Sequence, residues 1–347
     1  MAAMNPVSSP EPIPTTKKSY RPTSTWHLKP PTRNPLNQIE RLDLGPPEMY
    51  EARGPEWDRG PMPNHPMWRE NLFVLRWAVW PIVIQWALLC YTDIQIDSTF
   101  AQIVQVFLYQ GWFMAYATRI FVRLQRFMKV YGTLNEGKRG RDMIADVHRD
   151  RVTLSLVIFL IVRISGVFVL GKDRSAVPSL SVWSPVKIGL FQIALDYFFY
   201  VYHRLTHDFD SLWFIHQKHH ATKAPTPSLA ILADNYQEAL EIAIIPFLAS
   251  QVVPEMSFAE LYGAAAYTVY VEALGHSGIR AYWGTPILGP VLKPLGMDLV
   301  VEDHDLHHRY GRGGKNFGKQ TRIWDTLFGT TAPREEERIY EMKKAGY

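Results

Sequence analysis

Nine of the twelve histidines in the chain fall into three short clusters and one single position. The clusters read H-R-L-T-H, H-Q-K-H-H and H-D-L-H-H, and the single histidine lies between the second and the third. The nine residues are His203, His207, His216, His219, His220, His276, His304, His307 and His308. On a helix, residues three or four positions apart share one face, so each cluster is predicted to present two or three imidazoles side by side.

Imidazole clusters of this kind indicate metal binding. Neutral imidazole is the commonest protein ligand for zinc, iron, copper and nickel. One ion takes about four to six ligands, so eight or nine imidazoles predict two ions. A surface patch that senses pH is the alternative, but it would need the H-x-x-H-H spacing to arise twice by chance. His27, His65 and His148 fit none of these spacings, and Cys90, the only cysteine, is predicted to be a small buried hydrophobe.

Long apolar runs surround the histidines. Four of them cover residues 72–92, 100–118, 152–170 and 186–202, and the third contains Arg163 as an internal charge. About 20 apolar residues cross the core of a bilayer, so these runs predict transmembrane helices, with buried helices of a soluble protein as the alternative. Tryptophan and tyrosine at their ends favour the membrane. Two shorter runs, 239–253 and 258–275, are separated by Pro254 and predict either a hairpin or two spans.

Charge in the loops predicts the topology. Residues 119–151 carry nine lysines and arginines, whereas the 93–99 loop has none. The positive-inside rule then places residues 119–151, the N-terminus and all nine histidines in the cytosol. Residues 1–66 are rich in proline and predict a flexible cytosolic arm, and residues 67–347 predict one membrane-embedded domain. The predicted fold is thus all-α: a multi-span transmembrane helical bundle with a cytosolic, histidine-rich cap for two metals. No nucleic-acid-binding motif is present in the sequence.

The ligands alone leave zinc hydrolysis, metal transport and oxygen chemistry open. A catalytic zinc usually has three protein ligands, so eight or nine imidazoles favour a pair of irons that activates oxygen. Asp196, Asp208, Asp303 and Asp305 are candidates to orient the rings, with solvation or helix capping as the alternative, which is favoured for Asp305. Residues 309–315 predict a flexible basic turn near lipid headgroups. A site at the cytosolic mouth of a bundle suits an amphiphile that enters from the bilayer.

The order and spacing of the motifs resemble the fatty acid hydroxylase / sterol desaturase superfamily over about residues 185–330. The resemblance is carried by H-R-L-T-H, H-Q-K-H-H-x-x-x-x-P-T, G-H-S-G, H-D-L-H-H and N-F-G-x-x-x-x-I-W-D-T-L-F-G-T. It implies an integral membrane oxygenase of the endoplasmic reticulum, with two non-haem irons held by the nine histidines. It also implies molecular oxygen and electrons from NAD(P)H through a reductase, often by way of cytochrome b5. No haem-binding domain is fused, so the electron donor is expected to be a separate protein.

One position departs from the family pattern. Members often carry a further histidine before a proline upstream of the hairpin, and Asn235, a poor iron ligand, occupies that place here. The resulting expectation is a hydroxylase of a lipid-like substrate such as a sterol, a sphingoid or fatty acyl lipid, or a terpenoid or polyketide. Desaturation by the same centre is the alternative within this chemistry. A membrane zinc hydrolase or metal carrier is the alternative from another class.

Overall fold

The computed structural model describes residues 24, 25, 28, 41, 60–135, 143–336 and 341–342. Within these ranges the chain is built from helices and forms no β-strand beyond two isolated bridges. The all-α class is therefore confirmed. The predicted N-terminal arm, residues 1–66, lies almost wholly outside the described residues, so its flexibility stays a prediction, as does the single domain from 67 to 347.

The described part of the chain contains four long helices followed by shorter ones. The α-helices are α1 (Met67–Tyr91), α2 (Thr99–Tyr131), α3 (Arg149–Leu170), α4 (Ser184–Asp208), α5 (Asp210–His216), α6 (Asn235–Glu238), α7 (Ile245–Val252), α8 (Phe258–Gly275), α9 (Gly289–Leu292), α10 (Val301–Tyr310) and α11 (Ile323–Leu327). A π-helical segment, Ala239–Ile244, joins α6 to α7. Single 3₁₀ turns lie at Asp146–His148, His219–Ala221, Pro227–Ile231, Lys293–Leu295 and Gly311–Gly313.

Helix α8 forms the centre of the bundle. It contacts α1, α2, α3, α4 and α10, and every residue in it except Gly263 is buried. Alanines at 264–266 allow this close approach from several sides, and a capping box between Ser257 and Glu260 satisfies the first turn. Because its C-cap is His276, the central helix delivers that histidine to the end of the bundle where the clusters lie.

The two shorter apolar runs form separate helical segments, and the choice between a hairpin and two spans stays a prediction. Helix α7 ends at Val252 and α8 begins at Phe258, so the chain breaks at Pro254 as expected from the missing backbone donor of proline. The first arm carries the π-helical segment, a feature with no signal in the hydrophobic pattern.

The four predicted spans coincide with α1 to α4, but the four helices differ in how apolar they are. Two helical stretches, Met67–Tyr91 and Asp146–Leu170, are long and apolar enough to cross a membrane; α2 and α4 are long but more polar. Helix α2 also continues to Tyr131, so the predicted basic loop from residue 119 is helical as far as that residue. Arg123 lies on that helix and donates to Glu70 of α1, with Nε 2.8 Å from Oε2. Part of the positive charge thus holds two helices together.

Helices α1 and α2 turn large apolar side chains outward. On α2, Phe100, Ile103, Val104 and Phe107 follow helical spacing along one face, and Phe100 and Phe107 are 76% and 72% exposed. Cys90 near the end of α1 is also exposed, so its predicted burial is wrong. Helix α1 carries apolar side chains on its outward face as well as on its inward face, and Cys90 lies on the outward face.

Candidate metal centre

All nine histidines of the predicted site meet in one place, in two adjoining groups. The five-histidine group contains His203, His207, His216, His220 and His307, and the four-histidine group contains His219, His276, His304 and His308. Within each group the candidate ligand nitrogens lie within 4.8 Å of one another. Eight of the nine side chains are buried and one is half-buried. The arrangement therefore has the capacity to hold two metal ions away from bulk water.

The clusters contribute to the two groups in a way that helical spacing did not predict. Helix α5 ends at His216, and the next two histidines lie in a 3₁₀ turn. As a result His219 and its neighbour His220 enter different groups. On α10, His307 and His308 are likewise divided. The predicted proximity within a cluster is confirmed, since the ring centroids of His304 and His308 lie 4.7 Å apart. Consecutive histidines nevertheless enter different groups, because adjacent residues diverge by about 100° on a helix.

Backbone carbonyls fix the orientation of five rings. The Nδ1–H groups of His203, His207, His219, His276 and His307 donate to the carbonyl oxygens of Phe317, Arg312, Leu232, Glu272 and Lys315, at 2.8, 2.9, 3.3, 2.7 and 2.9 Å respectively. A carbonyl can only accept, so each of these Nδ1 atoms carries the proton and each Nε2 presents a lone pair. This is the second layer of contacts that metal-binding histidines require. The turn at residues 309–315, predicted to be a flexible basic loop, supplies two of these acceptors.

The carboxylates that were predicted to orient the rings have other roles. Asp208 lies at the surface and pairs with Arg204, and Asp305 accepts from Asn135 and pairs with Arg309. Asp303 caps α10 by accepting from Val300 N–H and pairs with Arg334. The remaining four Nδ1 atoms, on His216, His220, His304 and His308, have no hydrogen-bond partner among the described residues. No ring in the two groups is therefore oriented by one of these acids through Nδ1, so the orienting role is wrong and the alternative of solvation or helix capping, favoured for Asp305, describes them better.

Asp196 supports the site indirectly. Its carboxylate, fully buried on α4, accepts from the backbone N–H groups of Lys319, Gln320 and Thr321 at 2.7, 2.8 and 3.1 Å, and from the Thr321 hydroxyl. These bonds anchor the loop whose Phe317 carbonyl holds His203.

The same loop explains why the N-F-G sequence accompanies the histidines. Asn316 adopts a positive φ of 63°, and its side-chain amide donates to Asp303 O on α10. The ring of Phe317 packs edge-on against His203 and His207. A Cβ at Gly318 would lie 2.3 Å from Thr321 O, so only glycine fits there. The family resemblance included this segment, but nothing in the sequence alone indicated that it packs against the histidines.

The ring nitrogens are arranged as ligands of a cation would be. His219 and His276 both use Nδ1 as the donor, so their Nε2 lone pairs face each other at 3.3 Å with no proton between them. His220 Nε2 lies 3.0 Å from His307 Nε2 and 3.2 Å from His207 Nε2. Two nitrogens bound at right angles to one ion at about 2.1 Å would be about 3.0 Å apart. Neither ring nitrogen of His216 has a partner within the described ranges, and a bound ion would take up the buried lone pair of one of them.

Burial keeps these rings neutral, which is the form that binds metal. Loss of solvation, together with repulsion from neighbouring imidazoles, places the pKa of His216 and His307 well below the usual value. Burial lowers the pKa of His276 to about 3, with the nearby Lys319 ammonium as the next cause.

We expect metal-free protein to lose stability in mild acid. The unfolded chain has histidine pKa values near 6.5 and takes up protons before the folded chain does, so the stabilisation is complete above about pH 6.5 and is lost as pH falls towards the folded values. Each histidine that gains a proton on unfolding lowers the unfolding free energy by about 1.4 kcal/mol per pH unit. Thermal melts of chelator-treated protein between about pH 7.5 and 5 should show a steep fall in Tm. A flat profile would contradict buried, neutral rings.

Two buried ion pairs lie beside the histidines, and sequence reasoning did not pair them. Lys319 Nζ lies 2.9 Å from Glu241 Oε1 of the π-helical segment. Arg163 of α3 donates from Nη2 to both carboxylate oxygens of Glu272 on α8, at 3.2 Å each. The internal charge noted in the third apolar run is thus neutralised by a residue on another helix.

Asn235 lies away from both groups. It is exposed at the start of α6, and its Oδ1 accepts from Arg151 Nη2 at 2.8 Å. The position that the resemblance compares with a further family histidine is therefore a surface contact in this chain.

Comparison with known proteins places residues 188–330 in a match to the fatty acid hydroxylase family model, and the predicted resemblance is confirmed. The chain is 40% identical to fatty acid hydroxylase vlmA of Lecanicillium sp over 168 residues, 47% of this chain and 46% of that protein. It is 25% and 24% identical to the alkylglycerol monooxygenases of Danio rerio and Homo sapiens, over 43% of this chain and 31% and 32% of theirs. The match thus spans less than half of each relative. No solved structure matches the chain.

Proposed function

We propose that this chain, whose residues 188–330 carry a fatty acid hydroxylase domain, is a membrane-bound oxidoreductase that hydroxylates a lipid-like substrate. The nine histidines would hold two non-haem irons, one in the five-histidine group and one in the four-histidine group. Molecular oxygen is the oxidant, and NAD(P)H is the electron source through a separate reductase, with cytochrome b5 as the expected carrier.

One observation carries the proposal: buried imidazoles converge with their lone pairs facing each other. The pair His219 and His276 shows this most clearly, because neither Nε2 has a proton to give to the other. Buried lone pairs without partners are destabilising, and a divalent cation in each group would bind the Nε2 lone pairs that face each other. Nine neutral nitrogen donors without a thiolate suit iron better than a structural zinc site.

The outer surface supports a membrane location. Two helical stretches, Met67–Tyr91 and Asp146–Leu170, are long and apolar enough to cross, and α2 adds an exposed apolar face through Phe100 and Phe107. Exposed apolar surface of this extent is typical of contact with lipid. We place the bundle in the endoplasmic reticulum membrane with the histidines and the N-terminus in the cytosol, as the distribution of basic residues predicts.

The residues of the chain position the reaction and exclude water. When bound, the iron pair with oxygen supplies the oxidising power that an unactivated C–H bond demands. The carbonyls of Arg312, Lys315 and Phe317 hold three of the rings in place. The ring of Trp213 packs against His207 and covers the five-histidine group from one side. In the net reaction, one oxygen atom enters the C–H bond and the other leaves as water.

Metal analysis of the purified full chain, followed by oxygen uptake, tests the proposal. We expect iron in an amount that fills both groups, and oxygen consumption that depends on added reductant and substrate. Stoichiometric zinc with no reductant-linked oxygen uptake would contradict it and favour a hydrolase or metal carrier.

Metabolite profiling of a deletion strain then separates hydroxylation from desaturation. A hydroxylase predicts that the accumulated compound lacks one oxygen atom relative to the missing product. A desaturase predicts that it carries two more hydrogens. Both reactions begin by removing a hydrogen atom, so the ligand set does not distinguish them.

A further inference from the structure

An apolar cavity of about 330 Å³ lies between α3, α4, α8 and the segment from the π-helix into α7. Its walls are formed by side chains such as Val167, Phe191, Ile242 and Leu261. At the rim, Val169 is 80% exposed, so the cavity opens to the outside of the bundle.

Two polar atoms in the wall of this cavity are buried and have no hydrogen-bond partner in the described part of the chain: Arg163 Nε and Thr268 Oγ1. Arg163 is 5% exposed and Thr268 is 1% exposed. A threonine inside a helix commonly donates to the carbonyl four residues earlier, but the Thr268 hydroxyl makes no such bond. Glu272, the partner of Arg163, lies one helical turn after Thr268 on α8, so Arg163 of α3 lies against the side of α8 that carries Thr268.

The charges around these atoms select a neutral ligand. The guanidinium of Arg163 is already neutralised by Glu272, and the neighbouring Lys319 is neutralised by Glu241. A carboxylate in the cavity would add an unbalanced buried charge. An alcohol, ether or carbonyl oxygen would accept from Arg163 Nε and, for example, from the Thr268 hydroxyl without such a charge.

The polar wall of the cavity is linked to the histidines by hydrogen bonds of Glu272. Glu272, which binds Arg163 through its side chain, accepts from His276 Nδ1 through its backbone carbonyl at 2.7 Å. Glu272 therefore connects the Arg163 side chain to the four-histidine group. The apolar rim lies farther along α3, at Val169.

We propose that this cavity binds a neutral amphiphile whose oxygen-bearing end lies inward, on Arg163 and Thr268, and whose hydrocarbon part extends towards the rim. As an assignment of the substrate, this rests on the proposed function and narrows it: oxidation takes place near the oxygen-bearing end rather than at the far end of the tail. As a binding site, it needs neither metal nor turnover.

Photolabelling of the full chain in lipid nanodiscs tests the site. The probe is an alkanol with a photoactivatable diazirine in its chain, and labelled peptides are mapped by mass spectrometry. Dodecanol and dodecane compete, at equal content in the bilayer. We expect label in the peptides of α3 and α7 that line the cavity, and roughly tenfold stronger competition by the alcohol, since it alone supplies a hydrogen-bonding oxygen.

Two pairs of variants make the test specific. Gly166 lines the cavity and Gly111 lies on α2, and a Cβ at either would meet nothing within 4 Å. Gly166→Leu should fill the cavity and reduce its labelling roughly tenfold, while Gly111→Leu should leave labelling within about twofold. Thr268→Val should remove most of the preference for the alcohol. Thr118→Val is its control, because that hydroxyl is exposed and bonds to Met114 O at 3.0 Å.

Equal competition by dodecane and dodecanol in the unaltered protein would overturn the proposal. So would cavity labelling that Gly166→Leu leaves unchanged, or an alcohol preference that survives Thr268→Val. A chain that binds the alcohol but contains no metal would remove the proposed function and leave the binding site standing. Metal content thus tests the proposed function, and labelling tests the binding site independently of it.

Discussion

His307→Ala is expected to abolish turnover and to lower bound metal. His307 is fully buried in the five-histidine group, and its Nε2 lies 3.0 Å from His220 Nε2. Loss of a residue that merely orients a ligand costs about 10–100-fold in metal affinity or activity, so loss of a ligand should cost more than about a hundredfold. Metal content and reductant-linked oxygen uptake on the same purified sample measure both effects.

His219→Ala gives the same test for the four-histidine group, where His219 is fully buried beside His276. The matched control is His148→Ala, since His148 is half-buried in a 3₁₀ turn outside both groups. Control protein should keep its metal and its activity within about twofold. Unchanged turnover in either ligand variant, with metal retained, would refute the assignment of these histidines.

Asp196→Asn is expected to be the most destabilising conservative change near the site. Asparagine places an N–H donor where Asp196 Oδ2 accepts from Thr321 N–H and Oγ1, and it removes the charge from the bonds to Lys319 and Gln320. A buried donor left without an acceptor costs about 1–3 kcal/mol, and the weakened bonds add to that, so the unfolding free energy should fall by about 3 kcal/mol. Chemical denaturation in detergent measures this change.

The matched control is Asp208→Asn on the same helix, where the carboxylate pairs with Arg204 at the surface. Exposed ion pairs contribute about 0–1 kcal/mol, so the control should denature almost like the unaltered chain. Asp196→Asn should also weaken metal binding about 10–100-fold, because the released loop carries the carbonyl that orients His203. Equal stability of the two variants would show that the buried carboxylate does not anchor the loop.

Much of the site was predictable because its signal is local. The histidine spacing marked eight of the nine residues, the G-H-S-G resemblance added His276, and the apolar runs marked α1 to α4 and the break at Pro254. The division of the nine into two groups was not predictable, because it depends on where α5 ends and turns into a 3₁₀ segment at His219. Helical periodicity continues through such an end without any change in residue type.

The orientation of the rings was missed for a different reason. Every residue has a backbone carbonyl, so the acceptors at Arg312, Lys315 and Phe317 leave no mark in the sequence, whereas aspartates stand out and attract the assignment. The pairing of Arg163 with Glu272 has the same difficulty. Its partners are 109 positions apart, and only the packing of α3 on α8 brings them together.

The division of neighbouring residues between the two groups has a consequence for how the gene tolerates length changes. His219 with His220, and His307 with His308, each supply both groups from consecutive positions. Adding or deleting a single residue inside either stretch would rotate the histidines that follow it away from their own group. A library of single-residue insertions and deletions, selected for activity, should therefore contain no active variants at these two stretches. It should contain active variants in the exposed turn between α1 and α2.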